Sequence, residues 1–403
     1  MKFSKSSQLF LVSVLGLIVA SLLAACQLVT IDYVFVACSS GNTTGSAGEI
    51  QTFAVDSESG ALRTGAATVA SGGTKPVAMV VSSDYYQLYV INQGNNSVVH
   101  FSIASNGVLT EKDSITTATT PVALAINEAG TYLYVVSGTS SATLTEYSLS
   151  SGTIGSAVAT KTLTLPSYTS DTIVPTGVTA LANNNGVYVS AYDQSAYNPN
   201  GSTSSSVNPG WVFGFAVGSG GTLTATSNSP YQAGTMPVAI TADPTSSFVY
   251  TTDYPNNEII GYIVQSTEAL NFMVNGPFKT GNEPKGITID PRGTYVYVAN
   301  SLDATVSSYS ITKSTGAPST VVSASSATTT TDTQPVALIV DPALGRFVYT
   351  ANYLGNSVSG FRMDTNTGAL SSSTQATPYP TGAYPTALVA VPHGNHSVQS
   401  VTR

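Results

Sequence analysis

Seven copies of one short pattern, each opening at a proline, run from about residue 30 towards the C-terminal end of the chain. Each copy contains four strand-forming runs and no run with helical periodicity. Repeats of roughly 40–50 residues that contain only short strands are typical of propeller blades. The pattern therefore predicts an all-β, seven-bladed β-propeller with four-stranded antiparallel blades. The prolines that open the seven copies are Pro76, Pro121, Pro175, Pro237, Pro284, Pro335 and Pro385.

Within each copy the four runs follow a fixed order. An alternating run after the proline predicts the inner strand, and a turn rich in Asp, Asn, Pro and Gly leads to the second strand. Such turns include residues 290–293 and 341–345, where Asp bonds its own backbone and Gly supplies a positive φ. A Gly-x-Leu turn such as residues 368–370 leads into the fourth strand. The recurring turn aspartates, Asp243 among them, are therefore expected to be structural.

The two ends of the repeat region complement each other. The first run, residues 33–37, matches a second strand that lacks an inner strand before it. The last run, residues 385–391, matches an inner strand with no further strand after it. Pairing the two closes the ring at seven blades and removes the open sheet edges. The predicted propeller spans residues 31–391, and residues 392–403 form a tail.

Residues 1–25 match a secretion signal and not a part of the fold. Lys2 and Lys5 precede an apolar run that closes on Leu-Ala-Ala-Cys, with the cysteine at position 26. This ending resembles bacterial lipoprotein signals, which implies cleavage before Cys26, lipidation of Cys26 and a tether over residues 26–30. The alternative is an uncleaved anchor, since the apolar run approaches the ~20 residues that span a bilayer. The family's inner-membrane retention residue is Asp, and Gln27 in its place indicates outer-membrane delivery.

Charge narrows the choice of partners. Charged residues make up 8% of the chain, the formal net charge is −8, and the sequence has no Lys/Arg stripe. These features argue against nucleic-acid binding and against electrostatic docking on anionic lipid. We expect a monomer in the bacterial cell envelope, attached to the membrane through Cys26, whose partner is a polar small molecule, a glycan or an envelope protein.

The order of strands assigns the loops to two faces. Loops before the prolines, and loops between second and third strands, share one face, which we call the top face. Hairpin turns between inner and second strands lie on the opposite, bottom face. The first strand is a second strand and starts at the bottom face, and the four residues that follow Cys26 reach at most ~14 Å. The bottom face is therefore expected to lie against the membrane and the top face to point away from it.

Three second-strand runs carry a family resemblance. Residues 88–92, 296–300 and 348–352 resemble the "YVTN" repeat of bacterial surface propellers. With the Asp-Pro-x-Gly and Gly-x-Leu turns they also resemble the lactonase propellers typified by the non-classical 6-phosphogluconolactonase. The resemblance extends over about residues 30–391. It implies the propeller fold, and it is compatible with lactone hydrolysis, with cycloisomerisation and with a non-enzymatic surface role.

Few residues suit catalysis. The sequence has no Gly-x-Ser-x-Gly elbow, no metal-spaced Cys/His set and no phosphate loop, so we expect no metal and no cofactor. The repeat places one polar ring on the top face, at the ends of the second strands. The ring consists of Cys38, Asn92, Ser137, Ala191, Asp253, Asn300 and Asn352.

Two interpretations of this ring stay open. Its side chains cap backbone groups at the strand ends, or they bind a hydroxylated ligand while aromatic rings stack on it. A long top-face loop, residues 192–210, is either a lid or a tolerated insertion. The ligand-binding residues predicted by the second interpretation are Asn92, Asp253, Asn300, Asn352, Tyr192, Tyr254, Tyr353 and Trp211.

Asp253, Glu283 and Lys285 form the one place where two carboxylates and an amine are expected to meet on the top face. In a lactonase, Asp253 or Glu283 would be the base and Lys285 the electrophile. The alternative is a set of solvated loop charges. From the sequence we predict a lipid-anchored envelope propeller that binds a polar ligand or a protein on its top face without catalysis. The alternatives are a lactonase acting on a sugar lactone or other lactone, and a structural surface-repeat protein.

Overall fold

Seven antiparallel sheets form a ring in the computed structural model, which describes residues 29–39, 47–139, 141–165, 172–197, 199, 208–322, 326–372 and 377–393. The predicted all-β, seven-bladed propeller is confirmed. The predicted signal, Cys26 and most of the tether lie outside the described residues, as does the tail from residue 394. Within the described ranges the helical segments are short 3-10 turns, and none could cross a membrane.

The first three blades, numbered in chain order, occupy residues 30–162. Blade 1 contains β1 (Thr30–Cys38), β2 (Ala47–Asp56), β3 (Leu62–Thr64) and β4 (Val69–Thr74). Blade 2 contains β5 (Pro76–Val81), β6 (Gln87–Asn92), β7 (Ser97–Ile103) and β8 (Leu109–Thr116). Blade 3 contains β9 (Pro121–Ile126), β10 (Tyr132–Ser137), β11 (Thr143–Ser150) and β12 (Thr153–Thr162).

The other four blades follow the same order of strands. Blade 4 contains β13 (Ile173–Ala180), β14 (Gly186–Asp193), β15 (Gly210–Val217), β16 (Leu223–Ala225) and β17 (Tyr231–Gln232). Blade 5 contains β18 (Pro237–Ala242), β19 (Phe248–Asp253), β20 (Glu258–Val264), β21 (Leu270–Phe272) and β22 (Phe278–Lys279). Blade 6 contains β23 (Pro284–Ile289), β24 (Tyr295–Asn300), β25 (Thr305–Ile311), β26 (Pro318–Thr320) and β27 (Thr328–Thr330). Blade 7 contains β28 (Pro335–Val340), β29 (Phe347–Asn352), β30 (Ser357–Met363), β31 (Leu370–Ser372) and β32 (Tyr379–Pro380), and the chain returns to blade 1 as β33 (Pro385–Pro392).

The ring closes through the two ends of the propeller, as the sequence predicts. Strand β33 pairs with β1 in antiparallel register, from Asp32 opposite Pro392 to Cys38 opposite Pro385. Strand β1 begins at Thr30, one residue before the predicted boundary. Blade 1 therefore takes its inner strand from the far end of the chain, and neither strand is left with an unpaired edge at the seam.

Tyrosines of the second strands connect neighbouring blades. Five of these tyrosines donate a hydrogen bond from the side-chain hydroxyl to a backbone carbonyl in the next blade. The carbonyl lies in the turn between the third and fourth strands of that blade. The bonds run from Tyr89 to Gly152 (2.6 Å), Tyr188 to Glu268 (2.7 Å), Tyr250 to Gly316 (2.7 Å), Tyr297 to Gly368 (3.0 Å) and Tyr349 to Gly60 (2.7 Å). Blade 1 has Phe35 at this position, and in blade 3 the buried hydroxyl of Tyr134 has no partner among the described residues.

Four of the five turns that receive such a bond carry glycine, whereas blade 5 has Glu268. Two features favour glycine at Gly316. Gly316 has a φ of +73°, in the left-handed region. A Cβ atom at this position would also lie 2.4 Å from Cδ1 of Phe248 in the preceding blade. The repeated glycine of the Gly-x-Leu turn thus serves close contact between blades as well as the local turn.

The turn aspartates on the bottom face are structural, as expected. Asp290 accepts hydrogen bonds from the backbone N–H groups of Thr294 (2.6 Å) and Tyr295 (2.7 Å). Asp243 accepts equivalent bonds at the start of β19, from Ser247 and Phe248, both at 2.7 Å. These carboxylates satisfy backbone donors where the hairpin reverses, which explains their recurrence without any catalytic role.

Candidate functional site

The polar ring on the top face is built around the repeated prolines. Asn92, Asn300 and Asn352 each lie opposite the proline that opens the inner strand of the same blade, and a bulge follows that proline. All three side chains are fully buried. A β-bulge at a strand end redirects the chain, so the loop before each proline folds over the end of the second strand.

The side-chain amides of the polar ring are already hydrogen-bonded to neighbouring residues of the protein. Asn92 accepts a hydrogen bond from the Ser71 hydroxyl at 2.6 Å and donates one to the Ser71 carbonyl at 2.8 Å. Asn300 donates to the hydroxyls of Thr305 and Ser307, each at 2.9 Å. Asn352 makes equivalent bonds in blade 7. These contacts fit the capping interpretation, and the prediction that the three amides touch a ligand gains no support from the geometry.

Asp253 is buried in the same way. Its carboxylate accepts hydrogen bonds from the backbone N–H groups of Thr235 and Met236, both at 2.9 Å, and from the Asn256 amide at 2.7 Å. The side chain is fully buried. A general base needs a free lone pair within reach of the proton it removes. The geometry therefore assigns Asp253 to holding the loop before Pro237, and the sequence-based role as base gains no support.

Four other side chains form a connected group at the top of blades 4 to 6. We call Tyr197, Tyr254, Glu283 and Lys285 the top-face cluster. The Glu283 carboxylate lies close enough to the Tyr254 hydroxyl to raise the pKa of that phenol, and Nζ of Lys285 lies 5.6 Å from the centre of the Tyr254 ring, within range of a cation–π contact. All four side chains are half-buried. The structure thus brings together two of the three predicted charged residues, together with a predicted tyrosine.

The backbone of Glu283 is fixed from both sides. Its N–H donates to the side-chain oxygen of Asn257 at 2.9 Å, and its carbonyl accepts from the N–H of Ser301 at 2.9 Å. Its φ is +54°, in the left-handed region. Non-glycine residues rarely adopt this conformation, so the surrounding bonds must hold it in place. The same conformation precedes the inner-strand proline at Lys75, Thr120, Gln334 and Tyr384.

Burial and charge alter the titration of the cluster. Burial lowers the pKa of Lys285, and the nearby Glu283 carboxylate acts in the opposite direction. Burial and the nearby Glu283 carboxylate raise the pKa of Tyr254 above its usual value. Burial, with the charges of Asp253 and Glu283, also raises the pKa of Tyr197. The cluster therefore combines neutral phenols and one carboxylate with an amine that holds its proton less tightly than a free lysine.

Of the other predicted aromatic residues, Tyr192 lies beside the cluster, whereas Trp211 and Tyr353 lie away from it. Tyr192 is only 5% exposed, and its ring meets the ring of Tyr197 edge-on at 6.5 Å. Trp211 packs against the apolar core between blades 3 and 4. The rings of Tyr353 and Tyr384 form a separate pair at blades 7 and 1, with centres 5.0 Å apart and planes tilted by 39°.

Sequence reasoning missed Tyr197. It lies in the long loop that the sequence marked as irregular, and an aromatic residue in a top-face loop was the available signal. Of this loop, residues 198 and 200–207 lie outside the described residues. The alternatives of lid and insertion therefore both stand.

The central channel begins at the cluster. It has a volume of about 270 Å³ and is lined by the first residues after the seven prolines. Lys285 is the one charged residue among those that the structure places along this wall. The first residues are Val77, Val122, Thr176, Val238, Lys285, Val336 and Thr386.

The next position along the channel wall is alanine or glycine in every blade. A Cβ atom on Gly286 would lie 2.9 Å from Cδ2 of Leu338 and 3.0 Å from the carbonyl oxygen of Val336. The inner strands of neighbouring blades therefore approach so closely that only a small side chain fits. The small residues in these runs of the sequence already indicate a tightly packed inner strand, and the structure agrees.

Other reactive groups are scarce. The described residues contain no group of three His, Cys, Asp or Glu side chains placed to hold a metal ion. Cys38 is a buried free thiol, and burial raises its pKa to about 12. A thiol that keeps its proton is a poor nucleophile. The top-face cluster is thus the strongest candidate site that the geometry offers.

These features define a class of protein: a closed seven-bladed propeller with polar side chains at the rim of its central channel. The chain belongs to the lactonase family of seven-bladed β-propellers, whose family model matches residues 47–169 and 222–398. No curated protein sequence matches the chain.

Solved structures share the fold. A putative 6-phosphogluconolactonase from Bacteroides uniformis aligns with a TM-score of 0.71 and 17% sequence identity, over 90% of this chain and 99% of the other. The periplasmic gluconolactonase PpgL of Pseudomonas aeruginosa aligns with a TM-score of 0.73 and 15% identity, over 91% of this chain and 100% of the other. At these identities the similarity establishes the fold alone.

Proposed function

We propose that this protein is a lipid-anchored envelope propeller that binds a small polar ligand at the top-face cluster without converting it. The observation that carries the proposal is the contact of Tyr254 with both Glu283 and Lys285 at the rim of the channel. The amine can donate hydrogen bonds and the carboxylate can accept them, while the tyrosine ring offers a face for stacking. A concave site with a few converging polar groups suits a small molecule better than a protein surface.

The charges of the cluster favour a neutral ligand. Glu283 and Lys285 carry opposite charges and lie two positions apart in the chain. An anionic ligand would gain from the lysine and lose to the carboxylate. A molecule with hydroxyl groups and a carbonyl, such as a sugar lactone, satisfies both side chains.

A phosphorylated sugar fits less well. Phosphate recognition relies on bidentate arginine or on clustered lysines. In the described part of the chain the arginines are Arg63 in β3, Arg292 and Arg346 in bottom-face turns and Arg362 in β30. No arginine of this set lies on the top face.

Hydrolysis of the lactone is the second candidate. Membership of the lactonase family favours it, and so does the lowered pKa of Lys285 beside Glu283. In this alternative Glu283 would activate a water molecule as general base, and Lys285 would polarise the ring carbonyl. We rank it second because Glu283 lies against the Tyr254 hydroxyl and the other predicted carboxylate, Asp253, is fully buried and accepts three hydrogen bonds.

A titration of the soluble propeller with a sugar δ-lactone tests the binding site. We expect Lys285→Met and Glu283→Gln each to weaken binding about tenfold or more, as the loss of a charged hydrogen bond predicts. Lys75→Met is the matched control, because Lys75 is an exposed top-face lysine beside another inner-strand proline. Unchanged affinity in both cluster variants would refute this site.

Release of acid from the same lactone separates the two candidates. Binding without catalysis predicts the uncatalysed rate of ring opening. Hydrolysis predicts an enzymatic rate that Glu283→Gln removes while Lys75→Met keeps it.

The membrane attachment rests on the sequence of the leader. Metabolic labelling with a fatty-acid probe should label the wild-type chain, and Cys26→Ala should abolish the label. Fractionation should then recover the labelled protein with the outer membrane. A labelled Cys26→Ala variant, or recovery with the inner membrane, would contradict the proposed anchor or its destination.

A further inference from the structure

We propose that the contact between blades 3 and 4 is a pH-sensitive switch. The contact is closed while Glu146 of β11 carries a proton, and it opens when the carboxyl group ionises. This inference is independent of the proposed ligand, because Glu146 is buried between two blades and is not part of the top-face cluster. The observations that carry it are the burial of the side chain, its missing partners and its contact with the next blade.

Glu146 is a buried acid without a partner. The side chain is fully buried, and neither carboxyl oxygen has a hydrogen-bond partner among the described residues. Glu146 pairs with Tyr134 of β10 in the sheet, and the hydroxyl of Tyr134 is also buried without a partner. An isolated charge costs far more to bury than a neutral group. The closed contact therefore holds Glu146 in its protonated form.

The equivalent position in the other blades carries no unpartnered acid. It is the residue paired with the second-strand tyrosine. In blade 2 it is His100, whose ring nitrogens bond Asp113 and Gln87, both at 2.7 Å. In blades 4 to 7 it is small: Gly214, Gly261, Ser308 and Gly360. The blade fold therefore does not require an acid here, and Glu146 is particular to blade 3.

The carboxyl group of Glu146 packs on the turn between β15 and β16 of blade 4. Gly221 of this turn has a φ of +79°, and a Cβ atom there would lie 2.2 Å from Oε1 of Glu146. Gly221 holds the position of Gly316 and Gly368, whose carbonyls accept tyrosine hydroxyls in other blades. In blade 3 the acid thus lies at the contact where other blades form that hydrogen bond.

No positive charge compensates Glu146. From β10 the titratable groups near it are the phenols of Tyr132 and Tyr134. Lys161 of β12 lies opposite Leu144, and no ion pair joins it to Glu146 among the described residues. Blade 4 contributes apolar side chains to this interface: Val187, Val189, Phe213, Phe215 and Leu223. Burial raises the pKa of Glu146 from the ordinary value of 4.5 to about 7, so it ionises in the neutral range.

The contact should therefore weaken as the pH rises. The pKa in the closed state is above the ordinary value, so the contact is strongest below about pH 4.5 and weakens up to about pH 7. In the open state the carboxyl group meets water and titrates normally. The equilibrium constant for opening then rises by up to about tenfold per pH unit within this interval and levels off above it.

Hydrogen exchange of the full-length protein, read by mass spectrometry between about pH 5 and pH 8, tests the switch. After correction for the intrinsic exchange rate, we expect opening at residues 218–223 to increase by roughly 50- to 100-fold over this range. Glu146→Gln keeps the size of the side chain but does not titrate, so it should remove most of the increase. Residues 341–347, at the seam between blades 1 and 7, should behave as in the wild type.

Glu128→Gln is the matched control, because Glu128 is an exposed acid of the same blade. This variant should keep the pH dependence of the wild type at residues 218–223. If Glu146→Gln does not fold, Glu146→Ser makes the same test with the residue type that blade 6 has at this position. Constant protection of residues 218–223 in the wild type would overturn the switch. So would a pH dependence that persists in the Glu146 variant.

Discussion

Asp32 in β1 and the charge of Asp341 in the β28–β29 turn interact across the seam between blades 1 and 7. Both side chains are fully buried. Asp341 accepts hydrogen bonds from the backbone N–H groups of residues 344–347, which stabilise its negative charge. Asp32 therefore carries the proton of the pair. Burial, with the adjacent Asp341 carboxylate, raises the pKa of Asp32 to about 9.

The free energy of unfolding should fall as the pH rises through the neutral range. The pKa of Asp32 is above its ordinary value of 3.8, so its contribution is complete below about pH 4 and is lost by about pH 9. At 1.36 kcal/mol per pH unit, the loss between about pH 5 and pH 8 is up to about 4 kcal/mol. Asp32→Asn keeps the size of the side chain but does not titrate. Denaturant unfolding should show a shallower pH dependence in this variant, and an equal slope would exclude the pair as its source.

The tyrosine bonds between blades should contribute unequally to stability. Tyr250→Phe leaves the buried Gly316 carbonyl without its donor, and we expect a loss of about 1–3 kcal/mol in the free energy of unfolding. Tyr134→Phe is the matched control, because its hydroxyl has no partner in the described residues. It should change stability by less than about 0.5 kcal/mol or increase it. Equal losses in the two variants would contradict a role for the hydrogen bond.

Lys285 should titrate below the ordinary lysine value of 10.5, because burial disfavours its charged form. Competitive acetylation as a function of pH, read by mass spectrometry of the Lys285 peptide, measures the midpoint independently of access. Glu283→Gln should lower this midpoint further, since the carboxylate helps the amine to keep its proton. A midpoint that rises in the variant would show that Glu283 does not face the amine.

Asn257 should affect binding through the backbone of Glu283. Its side-chain oxygen accepts the Glu283 N–H, and Asn96 accepts the Thr120 N–H in the same way at 2.8 Å in blade 2. Both asparagines have a backbone φ in the left-handed region. We therefore expect Asn257→Ala and Asn96→Ala each to lower the free energy of unfolding by a similar ~1 kcal/mol. Only Asn257→Ala should also weaken lactone binding. Equal affinities in the two variants would mean that the position of Glu283 does not matter to the ligand.

The fold was predictable because its signals are local and repeated. Three signals recur in the repeats: the inner-strand proline, the turn aspartate and the Gly-x-Leu turn. Their common spacing predicts the four strands of a blade. The missing inner strand at the start and the extra one at the end predict how the ring closes. The structural role of Asp243 and Asp290 followed from the same repetition. These predictions needed no knowledge of contacts between distant residues.

The site was only partly predictable. Position in the repeat placed Asn300 on the top face, but it could not show that the loop before Pro284 folds back and buries that amide. Burial of Asp253 has the same cause. Tyr197 reaches the cluster from a loop without a repeat register, and the central channel is lined by seven segments that are distant in sequence. Such features depend on the packing between blades and not on any one blade.

The pairing of β1 with β33 also affects the order in which the chain folds. Strand β33 leaves the ribosome after every other strand that the structure describes, and it must pair with a strand roughly 350 residues earlier in the chain. Contacts of such long range are slow to form, because the loop between the two strands must close first. Until then the edge of β1 is unpaired and open to other chains. A chain that stops anywhere before Pro385 would stay in that state, so a premature stop near the C-terminal end should be as damaging as one in the middle.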